Sequence, residues 1–136
     1  MKRTVKYPDT DVFKYYNANP KDYITSDCVY RALALALGKA WREVVMELAE
    51  TALTTGRSPA SVENMDAYLK KHGFVKKPQP KHQSGKKYTG AEFCREHKET
   101  VIMNIGGHHV TCSANGQIHD IWDCTNKCVG NYWIAE

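Results

Sequence analysis

The chain has 136 residues, a net charge of +4, 42% apolar and 25% charged residues. That length fits one domain, residues 1–136, with a real core and no room for a second, and no apolar run is long enough to span a bilayer. Five cysteines, an odd number in a chain able to fold without staples, favour free thiols in a reducing, cytoplasmic compartment; the basic start Met1-Lys-Arg-Thr-Val-Lys-Tyr-Pro8 lacks the apolar stretch of a secretory signal.

The first clear element follows the loop Asn17–Asp27. It is the helical run Ser26-Asp-Cys-Val-Tyr-Arg-Ala-Leu-Ala-Leu-Ala-Leu-Gly38, with Ser26 or Asp27 as N-cap and Gly38 as its end. Cys28 falls in the first turn, where unpaired backbone N–H groups favour thiolate over thiol, and so is a candidate nucleophile. Arg31, one turn on, reads as an exposed helix cation. A second helix, Ala40–Thr55, carries Trp41, Val44, Val45, Leu48 and Leu53 at helical spacing before Gly56. Ser58-Pro59 gives a cap and first helical position for a third, with Val62, Met65, Tyr68 and Leu69 on one face and Gly73 as its stop.

No acidic residue lies between Asp66 and Glu92, whereas Lys70, Lys71, Lys76, Lys77, Lys81, Lys86 and Lys87 all do. After Gly73 this stretch has the composition of a solvated loop; the sharper alternative for Lys70–Lys87 is a site for an acidic partner. Nucleic acid is disfavoured, because no aromatics are interleaved for base stacking and no motif of a dedicated binding fold is present.

Thr89 caps a short helix, Thr89–His97, and the period then changes to two: Thr100–Ile105, His109–Ala114, Gln117–Trp122 and Val129–Ile134 read as strands. Asn115-Gly116 is a type I′ hairpin signal. A two-residue turn there sets Ala114 opposite Gln117, Thr111 opposite Asp120 and His109 opposite Trp122, so His109, Thr111, Asp120 and Trp122 share a face. Asp120 is then a diagonal neighbour of His109, with Cβ atoms about 7 Å apart. His108, Val110, Cys112, His119, Ile121 and Asp123 take the other face, where His108 opposite Asp123 is a rival pair. His109 is preferred because Asp120 and Trp122 lie inside the strand. Cys94 and Cys112 read as core packing, and Tyr132-Trp133-Ile134 as the closing edge of the sheet. Cys124 and Cys128, with His119 nearby, lack a second pair at zinc-ligand spacing, so no metal and no cofactor is assigned.

A Cys at a helix N-terminus, then a strand His, then an Asp followed two residues later by Trp, resembles the papain-like cysteine peptidase superfamily. Asp120-Ile-Trp122 matches that family's Asn-Ser-Trp stretch. The compact size and the phrase Asp27-Cys-Val-Tyr-Arg-Ala-Leu-Ala34 are similar to the small bacterial and phage-type members related to double-glycine leader peptidases. The resemblance implies an α+β, papain-like fold, with N-terminal helices packed on a C-terminal twisted antiparallel sheet and the site in the cleft between them. It also implies Cys28 as nucleophile, His109 as acid and base, Asp120 as the group orienting His109, and Trp122 as a shield over their hydrogen bond.

The backbone N–H of Cys28 supplies one oxyanion donor. The family's Gln in the preceding loop is missing, as positions 22 and 23 are Asp and Tyr. Asn17, Asn19 and Thr25 are substitutes, with Asn19 ranked first. The expected activity is hydrolysis of a peptide or isopeptide bond in a peptide or protein substrate, through a thioester. A thiol acyltransferase or deamidase needs the same groups, and a catalytically silent binding module is the alternative the missing Gln favours.

Overall fold

The long helices end at Lys71, one short helix follows the lysine segment, and strand alternation begins in earnest at Val101. The computed structural model describes residues 6–136; residues 1–5 of the basic start lie outside them. In chain order the elements are β1 (Phe13–Tyr15), α1 (Cys28–Leu37), α2 (Trp41–Thr55), α3 (Val62–Lys71), β2 (Phe74–Lys77), α4 (Gly90–Glu96), β3 (Val101–Ile105), β4 (His109–Ala114), β5 (Gln117–Asp120) and β6 (Val129–Ala135). Among the described residues the fold is α+β: four helices, mostly N-terminal, on one six-stranded sheet of order β1-β5-β4-β3-β6-β2. Among the described residues no helix is long and apolar enough to cross a membrane.

The sheet is mixed rather than purely antiparallel. β1, ahead of the loop Asn17–Asp27 and given no element by the sequence, pairs in parallel with β5, Phe13 standing beside Ile118. Three residues carry too little alternation to signal a strand, and Phe13 is fully buried between the sheet and α4. β2 was likewise hidden in the lysine segment. It pairs antiparallel with β6 from Phe74↔Ala135 to Lys77↔Tyr132, so Tyr132-Trp133-Ile134 lies inside the sheet and does not close its edge. Lys77 pairs with Glu136 at 2.9 Å and Lys76 lies over the Trp133 ring, partners distant in sequence, while Lys70 pairs with Asp66 one helical turn back at 3.6 Å.

α3 begins three residues later than Ser58-Pro59 suggested. Ser61 is the cap: its Oγ accepts the Asn64 N–H at 3.2 Å and donates to the Ser58 carbonyl at 2.7 Å, so Ser58 and Pro59 open a turn that leads into the helix. At α4, Thr89 and Glu92 cap each other's backbone reciprocally.

Two apolar layers hold the sheet. Val29, Leu33, Leu48, Met65 and Leu69 from α1–α3 pack with Ile102, Cys112 and Trp133 on one face. Phe93 and Cys94 of α4 pack with Phe13, Met103, Ile105 and Ile118 on the other, so the helices are not confined to one side. Cys94 and Cys112 are fully buried packing residues. The hairpin turn has Asn115 at φ 55° and Gly116 at φ 79°, the two positive values of a type I′ turn, and the ladder pairs Ala114↔Gln117, Ser113↔Ile118 and Cys112↔His119.

Candidate active site

The site forms where the first residue of α1 meets the first residue of β4. Val110 and Cys112 are the β4 residues packed in the α1-side core, which turns His109 to the other parity and leaves it only partly covered at the strand's end. The candidate site is therefore at the joint of helix start and strand start. Asp27 is the N-cap, which makes Cys28 the first helical residue.

His109 Nε2 and Asp120 Oδ2 are 2.6 Å apart, with Asp120 only 2% exposed. Since Nε2 is held by Asp120, Nδ1 is the ring nitrogen left to act on Cys28, whose thiol feels the His109 ring. Burial alone would raise the Cys28 thiol. The His109 ring, a backbone hydrogen bond from Val110, and the charges of His109 and Arg31 outweigh it and hold the thiol below its ordinary value. Burial also opposes the charged form of His109, yet the hydrogen bonds to Asp120 and Cys28 and their charges bring the imidazolium up to about 9. Asp120 is pulled below the usual carboxylate value against its burial, chiefly by His109 and with help from Thr111 and Arg31. A lowered thiol beside a raised imidazole is the condition for a thiolate–imidazolium pair.

β5 is shorter than the sequence suggested, and this places Trp122. Asp120 Oδ1 accepts the N–H groups of Ile121 at 2.7 Å and Trp122 at 3.4 Å, a local turn that ends the strand. Trp122 is thus not a ladder partner of His109; the bend brings its ring edge-on to the imidazole at 4.9 Å. The rival pair does not assemble: Asp123 Oδ1 is taken by the Thr125 N–H and hydroxyl, and His108 lines the cavity beside Cys28.

Arg31 is not the exposed helix cation its sequence position suggests. It is 5% exposed, bridging Asp27 through Nη1 and Asp120 Oδ1 through Nη2 at 3.3 Å, and Nη1 also reaches the Thr25 carbonyl at 3.4 Å. The local signal was Asp27-x-x-x-Arg31, an i,i+4 pair on one helix face; the second carboxylate had no signal at all. Asn19 Nδ2 donates to Asp27 Oδ2 at 3.4 Å and its Oδ1 accepts the Lys21 N–H, while Asn17 Nδ2 donates to Asp22 and to the Tyr23 carbonyl. Both amides of the preceding loop are thus engaged in shaping it.

A cavity of about 290 Å³ opens beside Cys28, walled by Tyr30, Val62, Asn104 and His108. A second, of about 450 Å³, shares Val62, Asn104 and Gly107 with it and extends to Gln79, Lys87 and Cys128. Asn104 sits where the β3–β6 register slips between Met103 and Ile105, a bulge on the floor common to both.

Among the described residues one donor group is tight enough for a metal ion: His109, Asp120 and Cys124, with ligand atoms within 4.8 Å of one another. Its donors are already committed, since His109 and Asp120 bind each other and the buried Cys124 thiol, raised by burial and by the Asp120 charge, contacts Asp120 Oδ2 at 4.0 Å. Cys124, Cys128 and His119 form no donor group of their own. No family model, curated protein or solved structure matches the chain.

Proposed function

We propose that the protein is a cysteine hydrolase of papain-like architecture that cleaves a peptide or isopeptide bond in a peptide or protein substrate. The observation that carries this reading is the buried His109–Asp120 pair at 2.6 Å, with the Cys28 thiol lowered by the His109 ring and the imidazole raised. A structural histidine–aspartate pair needs no lowered thiol at an adjoining cavity.

In the proposed reaction the Cys28 thiolate attacks the acyl carbon, forming the C–S bond of a tetrahedral adduct. The His109 imidazolium gives its Nδ1 proton to the leaving amine as the scissile bond breaks, leaving a thioester. Neutral His109 then takes a proton from water, whose oxygen displaces the sulfur. Asp120 keeps Nε2–H directed away from the thiol throughout, and Trp122 covers that hydrogen bond. The Cys28 N–H, at the first position of α1, serves as an oxyanion donor. A cytoplasmic setting belongs to the same proposal, because the reaction requires Cys28 reduced. Lys87, at the end of the basic segment, lines the second cavity, so an acidic group on the substrate is expected to meet the groove there.

The test is alkylation by iodoacetamide at pH 6, read thiol by thiol by mass spectrometry, followed by hydrolysis of a peptide library with Cys28→Ala as control. Selective labelling of Cys28 and Cys28-dependent cleavage are expected. Labelling no faster than that of exposed Cys128 would overturn the hydrolase and leave a silent module of the same fold.

A further inference from the structure

We propose that Arg31 is a positioning residue, a buried two-armed strut that sets the distance between the nucleophile's helix and the carboxylate behind His109. This rests on the hydrolase reading of the same site and adds to it a group that touches no substrate.

The strut has an end on each half of the machinery. Nη1 holds Asp27, the residue before Cys28, and Nη2 holds Oδ1 of Asp120, whose other oxygen binds His109. The two carboxylates belong to segments far apart in the chain, and the planar guanidinium, with its forked donors, fixes both where an ammonium would act as a point charge. Each is anchored again from outside. Asp27 Oδ2 accepts from Trp41 Nε1 at 3.0 Å and Asn19 Nδ2 at 3.4 Å, and Asp120 Oδ1 accepts the Ile121 N–H at 2.7 Å. These bonds fix each carboxylate only to its own surroundings, and the guanidinium sets the distance between the two.

A second consequence falls on the oxyanion side. An Asp at a helix N-cap ordinarily turns its carboxylate onto the free N–H groups of the first turn. Asp27 does not; Arg31, Trp41 and Asn19 hold it elsewhere, so that carboxylate stays off the helix N-terminus that receives negative charge in the reaction.

Arg31→Lys keeps one buried positive charge and loses the fork, whereas Arg31→Met loses both. Two readings are taken on each folded variant: the His109 ring titration by NMR, and the pH profile of Cys28 alkylation by iodoacetamide. With the strut cut, Asp120 is no longer held against the imidazole. The His109 midpoint is then expected to fall by on the order of one pH unit, with Cys28 alkylation about tenfold slower on its acid limb. Loss of a nearby positive charge alone would raise the His109 midpoint, so the sign separates geometry from simple electrostatics. A midpoint unchanged or raised in Arg31→Lys overturns the strut. Should Arg31→Met fail to fold, Arg31→Lys still decides. Asp27→Asn, which weakens the other end, is expected to give less than additive effects when combined with Arg31→Lys; full additivity overturns the coupling. Failure of the hydrolase reading looks different: Cys28 would be unselective in the unaltered protein, while the His109 titration would still report the strut.

Discussion

His109 Nε2 lies 2.6 Å from Asp120 Oδ2, and the same carboxylate's other oxygen lies 3.3 Å from Arg31 Nη2. One buried carboxylate thus answers to two cations. Its position ties the strand histidine to the helix that carries Cys28, and the expected behaviour of the site follows from it.

At pH 6 iodoacetamide should label Cys28 first, although Cys128 is the more exposed thiol. Accessibility alone favours Cys128, so the order of labelling reports activation. His109→Ala should abolish the preference, because burial then acts on the thiol without its main opposing influence. Peptide mapping after partial alkylation reads both results.

Hydrolysis should follow a bell in pH. The descending limb is expected near 9, where His109 loses the proton it must donate, and the ascending limb below the ordinary thiol value, where Cys28 ionises. Stability has its own dependence. His109 is raised above 6.5, so its contribution is complete below that pH and disappears as pH rises through about 9. Asp120 is lowered below 3.8, so its contribution is complete above that value and disappears as pH falls. Thermal melts between pH 3 and pH 10 should show losses at both ends.

Asp120→Asn should cost roughly 3 kcal/mol or more of stability, since it leaves buried Arg31 with one carboxylate partner instead of two. The His109 midpoint should fall, because the carboxylate charge that raises it is gone, and turnover should fall with it, while the amide oxygen can still accept Nε2–H. Urea melts and turnover measured on the folded fraction separate the two effects.

Trp122→Ala should admit water to the His109–Asp120 bond, lowering the His109 midpoint and making it sensitive to salt. The lost packing should cost about 3 kcal/mol. An NMR titration at low and high ionic strength checks the first effect directly.

Gly90→Ala provides a control distant in role. A Cβ there would stand 2.9 Å from the terminal methyls of Ile105 and Ile118 and 3.3 Å from Thr125 Cα. Overpacking at the start of α4 should cost about 1–3 kcal/mol while leaving the pH profile of Cys28 alkylation unchanged.

What the sequence determined was local. Hydrophobic period set the helices and the four C-terminal strands, Asn115-Gly116 set a hairpin register that the ladder keeps, and Cys28, His109 and Asp120 could be chosen because each stands in an element whose geometry is dictated within a few residues. Even Trp122 was placed near His109, though for a different reason: a carboxylate-capped turn and not strand pairing brings it there. What only the tertiary structure decided was long-range. β1 and β2 are strands because β5 and β6 present open edges to them, and three or four residues cannot declare a period by themselves. Arg31 is buried because two carboxylates from distant segments converge on it. A single sequence shows a residue's near neighbours on its own helix or strand, whereas the partners that make a charge worth burying come from elsewhere in the chain.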